Sequence, residues 1–245
     1  MDYREYKFST KEMAENLGIF LLLAAIISYL FYRSLIAFAL CLPLFKVFLK
    51  IRRESCIKKR QQELSAQFLA GMQSVSVALS AGCSVENAFM EALRELRQLY
   101  DEDAMIIREF HYIVVQLGMN RSLEQLLGAL AVRSGIEDIR NFADIFSAAK
   151  RTGGNLIAII RNTVQCISQK EETRREINTC LSAKRLEQNI MSVVPCMILI
   201  YVQMVSPGFL DVMYHNPAGI VIMSVCLLVY FLAWLWGRKI VSIEV

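Results

Sequence analysis

The fold is decided by residues 148–200, AAKRTGGNLIAIIRNTVQCISQKEETRREINTCLSAKRLEQNIMSVVPCMILI. Gly153 and Gly154 predict a turn that ends the preceding helix, and Asn155 can cap a new helix after them. That helix begins with apolar residues at helical spacing: Leu156, Ile160, Val164 and Ile167. A charged run follows and leads into an apolar stretch. This part of the sequence therefore predicts one helix that connects a charged domain with a membrane span.

Two apolar segments near the C-terminal end predict a transmembrane hairpin. Residues 190–205 contain Pro195 and form the shorter segment. Residues 218–237 carry no charge, and a helix of this length crosses about 30 Å of hydrocarbon. The segments are joined by a turn that contains Pro207, and Gly219 lies at the start of the last span. We expect the turn to face away from the cytoplasm.

The N-terminal apolar region allows two interpretations. Residues 17–32 and 34–49 are either two short spans separated at Arg33 or one long tilted span. We favour the hairpin because it places residues 1–16 on the same side of the membrane as the cations that follow position 49. Six cations lie there, as positive charges do on the cytoplasmic side of a span: Lys50, Arg52, Arg53, Lys58, Lys59 and Arg60.

The composition agrees with a membrane protein that also has a charged domain. Hydrophobic residues make up 55% of the chain and the mean hydropathy is +0.39, which excludes a purely soluble enzyme. The net charge of +4 is too small to indicate a nucleic-acid partner. We expect a protein of the cell (inner or cytoplasmic) membrane, with both termini and residues 51–188 in the cytoplasm.

Residues 51–188 contain no proline and show helical periodicity throughout. We expect a six-helix, bundle-like domain here, between an N-terminal tail with a transmembrane hairpin (1–50) and a C-terminal hairpin with a short tail (189–245). Helix ends are predicted by Gly82, a left-handed cap, and by the N-caps Ser84, Asp101 and Ser122. The apolar stripes include Leu64, Phe68, Met72, Val75, Leu79, Val85, Phe89, Leu93, Leu96, Ile106, Phe110, Ile113, Leu117, Leu123, Leu127, Leu130, Ile139, Phe142 and Phe146.

The sequence shows no motif for catalysis or for a cofactor. A G-x-x-x-x-G-K-[ST] phosphate loop is absent, so any ATP-driven work needs a partner. The only histidines, His111 and His215, are about a hundred positions apart and lie in no zinc-binding pattern. We therefore predict no catalytic residues, no metal and no cofactor.

The order of the parts resembles the type II secretion system F family, and in particular the Flp/Tad pilus assembly branch of TadB. The resemblance is carried by residues 80–96, SAGCSVENAFMEALREL, by residues 148–200 and by the ending that starts at Val205. It implies a non-enzymatic platform on which a secretion ATPase acts to assemble pilin. It also implies a second, TadC-like platform protein, contact with membrane lipid, and a homo- or hetero-oligomer.

Four arginines lie off the apolar stripes and are our candidates for ATPase docking: Arg94, Arg97, Arg108 and Arg140. The alternative function is a small-molecule permease or a membrane-bound sensor with a helical domain. The absence of charges in the middle of the last two spans speaks against a permease, which usually needs buried ionisable groups.

Overall fold

The computed structural model describes residues 3–4, 6, 8, 10–32, 38, 42–152, 156–206, 208 and 217–241. These residues are all-helical and contain no strand, so the predicted all-α class is confirmed. Besides a 3-10 turn at Leu42–Leu44, the helices are α1 (Thr10–Phe31), α2 (Phe45–Ser80), α3 (Val85–Leu99), α4 (Met105–Gly118), α5 (Leu123–Ser134), α6 (Glu137–Thr152), α7 (Leu156–Val205) and α8 (Pro217–Val241).

The chain divides into two compact units. The first, which we name the core unit, comprises Met1–Lys7 and Arg53–Thr173; the second, the apolar unit, comprises Phe8–Arg52 and Arg174–Val245. Three segments fall outside the limits expected from the sequence. Residues 1–7 belong to the core unit, and residues 51–52 and 174–188 belong to the apolar unit. Helix α7 is unbroken through residues 174–188 and so belongs to both units.

The predicted apolar stripes form the interior of the core unit. Most of the stripe residues named above are buried in one cluster, to which helices α2 to α7 contribute. The exceptions are partly buried and pack against the cluster: Val85, Leu117, Leu156 and Ile167. Aromatic rings connect the helices: the ring centroids of Phe68 and Phe142 are 5.8 Å apart, and those of Phe89 and Phe110 are 5.5 Å apart. Burial of these side chains is the main source of the unit's stability.

Two of the predicted helix caps are confirmed. Gly82 has φ +90°, and its N–H donates to the carbonyl of Leu79 (3.0 Å), which ends α2 in the left-handed conformation that glycine adopts at little cost. The side chain of Ser84 accepts a hydrogen bond from the N–H of Asn87 (3.3 Å) at the start of α3. The turn between α2 and α3 thus follows directly from local sequence.

The cap predicted at Asp101 is wrong, and the one predicted at Ser122 is only partly confirmed. Asp101 does not cap α4, because the helix starts later with Ala104 as its N-cap, and the Asp101 carbonyl instead accepts from the N–H of Ala104 (2.8 Å). Ser122 is the N-cap of α5, but its side chain makes no capping hydrogen bond. The predicted sites Gly153, Gly154, Asn155 and Pro207 lie outside the described residues.

Within the described part of the chain, three helices are long and apolar enough to cross a membrane: Thr10–Phe31, Leu156–Val205 and the part of α8 from Gly219 to Gly237. The helix predicted after Gly154 is continuous with a candidate span, since α7 has 50 residues and includes Pro195. Gly219 is buried near the start of α8. In the second N-terminal segment, 34–49, residues 34–37 and 39–41 lie outside the described part of the chain.

Within the apolar unit, α1 packs against the start of α2. The Phe20 ring lies 5.2 Å from that of Phe45 and 5.6 Å from that of Phe48, measured between centroids. Earlier in α1, Asn16 Oδ1 accepts a hydrogen bond from Nε of Arg52, later in α2 (3.1 Å). A residue later in α1 thus contacts residues earlier in α2, and a residue earlier in α1 contacts one later in α2. The two segments are therefore antiparallel there.

Candidate functional site

Tyr3 is inserted into the core unit although it lies far from the rest of that unit in sequence. Its side chain is only 1% exposed. The backbone N–H of Tyr3 donates to the carbonyl of Arg133 (3.0 Å), and its hydroxyl donates to Oε1 of Glu109 (2.9 Å). Both partners lie in the helical part of the unit, on α5 and α4. Tyr3 is therefore fixed to helices α4 and α5 by its backbone and by its side chain.

Charged groups surround the Tyr3 ring. Arg133 Nη2 donates to the second oxygen of Glu109, which is itself buried, and the Arg60 guanidinium lies 5.0 Å from the centre of the Tyr3 ring. Burial, followed by the negative charge of Glu109, raises the pKa of Tyr3 far above its ordinary value. Tyr3 therefore stays protonated and remains a hydrogen-bond donor to the carboxylate at any physiological pH.

Arg4 passes over the end of α5, where glycine makes room for it. Gly135 has φ +66°, and its N–H donates to the carbonyl of Ala131 (3.1 Å). A Cβ at this position would lie 2.8 Å from Arg4 Nε and 3.2 Å from Gln61 Nε2. A larger residue would therefore strain the backbone and would require the Arg4 side chain to move. We name Tyr3 and Arg4 the strap; the residues around them form the socket: Arg60, Gln61, Glu109, Arg133 and Gly135.

Sequence reasoning missed this site. The N-terminal segment has a mixture of charges and no helical periodicity, and its partner residues are more than 50 positions away. One local signal existed: Glu109 lies within the apolar stripe of α4, beside Phe110, and is 5% exposed. A carboxylate at a buried helix position requires hydrogen-bond donors, and these come from Tyr3 and Arg133.

The four arginines predicted as docking residues are all exposed. Arg94 and Arg97 lie one turn apart on α3, and Arg94 pairs with Glu91 (3.3 Å). Arg108, on α4, pairs with Asp103 (2.6 Å), and Arg140 lies on α6. Among the described contacts, none joins these arginines into one cluster. They are accessible to a partner, but they do not form a preassembled site.

The apolar unit contains a cleft between α7 and α8 with a volume of about 460 Å³. Pro195, Met191, Ala233 and Trp234 contribute apolar surface, and the ion pair between Lys184 and Glu187 (2.8 Å) lies at one end. Where Pro195 interrupts the backbone pattern of α7, the Tyr230 hydroxyl donates to the carbonyl of Ser192 (2.7 Å). This bond connects the two helices and satisfies a hydroxyl group within an apolar region.

Among the described residues, no three or more His, Cys, Asp or Glu side chains form a group that could hold a metal ion. No family model, curated protein or solved structure matches the chain. The strap, the exposed arginines and the long helix α7 are thus the features from which a function can be argued.

Proposed function

We propose that this chain is a membrane platform of a Flp/Tad-type pilus or type II secretion machine, which couples a cytoplasmic secretion ATPase to pilin assembly. The observation that carries the proposal is α7. Ile160 and Val164 near its start are buried in the core unit, while its apolar C-terminal part is exposed along a candidate span. A continuous helix of 50 residues is about 75 Å long and can carry displacement from one unit to the other.

The strap supports the predicted N-terminal hairpin. Tyr3 and Arg53–Thr173 both belong to the core unit, so residues 8–52 leave that unit and return to it. A segment that enters a membrane and returns to the same side crosses it an even number of times. The antiparallel contacts of Phe20 with Phe45 and Phe48 agree with this path. The basic residues 50–60 favour the cytoplasm as the side on which the core unit lies.

The proposed mechanism needs an external source of energy. The sequence has no phosphate loop, so the ATPase supplies the work and the chain transmits it. Exposed Arg94, Arg97, Arg108 and Arg140 provide charges for ATPase docking. The apolar exterior of the three candidate spans provides the surface for pilin, for a second TadC-like platform protein and for lipid.

Co-purification tests this function. Full-length chain, extracted in mild detergent from cells that contain the complete machine, should retain both a secretion ATPase and pilin. Retention of neither, combined with uptake of a solute by vesicles that contain only this chain, would favour the permease alternative. Introduced cysteines at positions 97 and 213 test the orientation: a membrane-impermeant reagent applied to intact cells should label position 213 and not position 97.

A further inference from the structure

We propose that the strap is an anchor that makes the first membrane segment follow movements of the core unit. The inference rests on the proposed function, because it assigns to the strap a part in transmitting ATPase-driven displacement. At the other end of residues 8–52, helix α2 continues from Phe45 to Ser80 and so joins the same core unit. The segment is therefore held at both ends, covalently by α2 and non-covalently by Tyr3 and Arg4.

The contacts of the strap are those of an interior attachment. The Tyr3 side chain is buried as deeply as the aromatic core residues, and it combines a backbone hydrogen bond, a hydroxyl bond to Glu109 and a contact with Arg60. Release of the strap would remove one hydrogen-bond donor from a buried carboxylate, which is costly because the charge would remain inside. The strap therefore resists dissociation when the segment behind it is pulled.

The connection between the strap and the first candidate span is short. Only residues 5–9 separate Arg4 from Thr10, the first residue of α1. Arg4 and Thr10 are thus six Cα–Cα steps apart, and a fully extended chain of that length spans at most about 22 Å. Displacement of the core unit that would take Arg4 farther than this from Thr10 must either pull on α1 or release Tyr3. A longer connection would leave the strap bound, but displacement of the core unit would then no longer pull on α1.

This reasoning defines a decisive variant. Insertion of twelve residues, (Gly-Ser)6, between Lys7 and Phe8 lengthens the connection and leaves every strap and socket residue unchanged. The same insertion after Met1 is the matched control, since it adds the same residues on the other side of the strap. Tyr3→Ala is the comparison in which the strap itself is lost.

Three measurements on full-length protein are needed: hydrogen exchange around Glu109 and Arg133, hydrogen exchange in the first turns of α1, and fibre assembly in cells. We expect the insertion after Lys7 to keep socket protection and ATPase retention, to speed exchange in α1 at least tenfold, and to lower fibre assembly at least tenfold. The insertion after Met1 should change none of these. Tyr3→Ala should lose socket protection and assembly together.

The proposal is overturned if the insertion after Lys7 leaves both α1 exchange and fibre assembly at wild-type levels. That result would make the strap a stabilising contact of the core unit only. If the wild-type chain retains neither ATPase nor pilin, the platform function is wrong. In that case, hydrogen exchange in α1 tests the anchor by itself. Faster exchange in the variant with the insertion after Lys7 supports the anchor, and unchanged exchange refutes it.

Discussion

The hydroxyl of Tyr3 donates a 2.9 Å hydrogen bond to Oε1 of Glu109, a residue 106 positions further along the chain. This contact assigns the N-terminal segment to the core unit. It also means that a fragment limited to residues 51–188, the domain expected from the sequence, would lack a side chain that fills the core. Experiments on the core unit therefore require the full chain.

Tyr3→Phe tests the contribution of this hydrogen bond. The ring stays buried, but Glu109 loses one of its donors, and hydrogen bonds to charged groups contribute about 1.5–3 kcal/mol. We expect the core unit to lose stability in this range, measured by hydrogen exchange of α4 and α5 in detergent-solubilised protein. Tyr100→Phe, the same change in a partly buried tyrosine at the end of α3, is the control. Equal exchange in both variants would contradict the role of the Tyr3 hydroxyl.

Two helical glycines give a matched test of the core packing. A Cβ on Gly71 would lie 2.6 Å from Cζ of Phe110, a ring that is fully buried, whereas a Cβ on Gly128 would meet nothing within 4 Å. Gly71→Ala should therefore destabilise the core unit by about 1–3 kcal/mol through overpacking. Gly128→Ala should stabilise it by about 0.5–1 kcal/mol, because alanine favours the helix. Thermal unfolding of full-length protein compares them, and a stabilising Gly71→Ala would show that the ring can move away.

The sequence was most informative where structure follows from local pattern. The stripe from Leu64 to Leu79 predicts the buried face of α2, and Gly82 and Ser84 predict the turn after it, because periodicity and caps act over a few residues. The run of apolar residues after Ile190 likewise predicts the span within α7. These features depend on burial and backbone geometry, which a single segment determines.

The candidate site was not predictable in the same way. Tyr3 meets its partners only after α4 and α5 have packed, so no local pattern marks it as a core residue. The prediction of an N-cap at Asp101 was wrong for a related reason. The Asp101 carbonyl forms a turn with Ala104, and Asp103 pairs with Arg108, so helix α4 begins later than the acidic residues suggested. Tertiary and turn contacts decided both cases.

The ion pair between Glu124 and Lys150 predicts a stability change in acid. Lys150 Nζ lies 2.8 Å from Glu124 Oε1, and this hydrogen bond lowers the pKa of Glu124 from its ordinary value of 4.5. Because the folded pKa is the lower one, the stabilisation is fully present above the unfolded pKa and is lost as the pH falls through the folded pKa. Partly exposed pairs of this kind contribute about 0.2–1 kcal/mol.

Lys150→Met should remove that contribution at pH 7, and its effect should shrink as the pH falls through the lowered folded pKa of Glu124, because protonation removes the carboxylate charge. Lys150→Arg is the control, since it keeps a cation at this position. The measurement is the free energy of unfolding of full-length protein in urea at several pH values. A Lys150→Met penalty that is as large at low pH as at neutral pH would show that Lys150 acts through packing rather than through its charge.

Charge reversal on the exposed arginines tests ATPase docking. We expect Arg97→Glu combined with Arg140→Glu to weaken ATPase association about tenfold at low salt, the lower end of the range for electrostatic steering. The effect should shrink as salt rises, because exposed charges are screened. Membrane insertion and helix content should stay unchanged. Arg161→Glu with Arg175→Glu, which reverses two exposed charges on α7, is the matched control.

The measurement is retention of the ATPase on immobilised full-length protein across a salt series, alone and together with its platform partner. If the wild-type chain retains no ATPase at low salt in either setting, the core unit does not receive the work of the motor, and the coupling role is wrong.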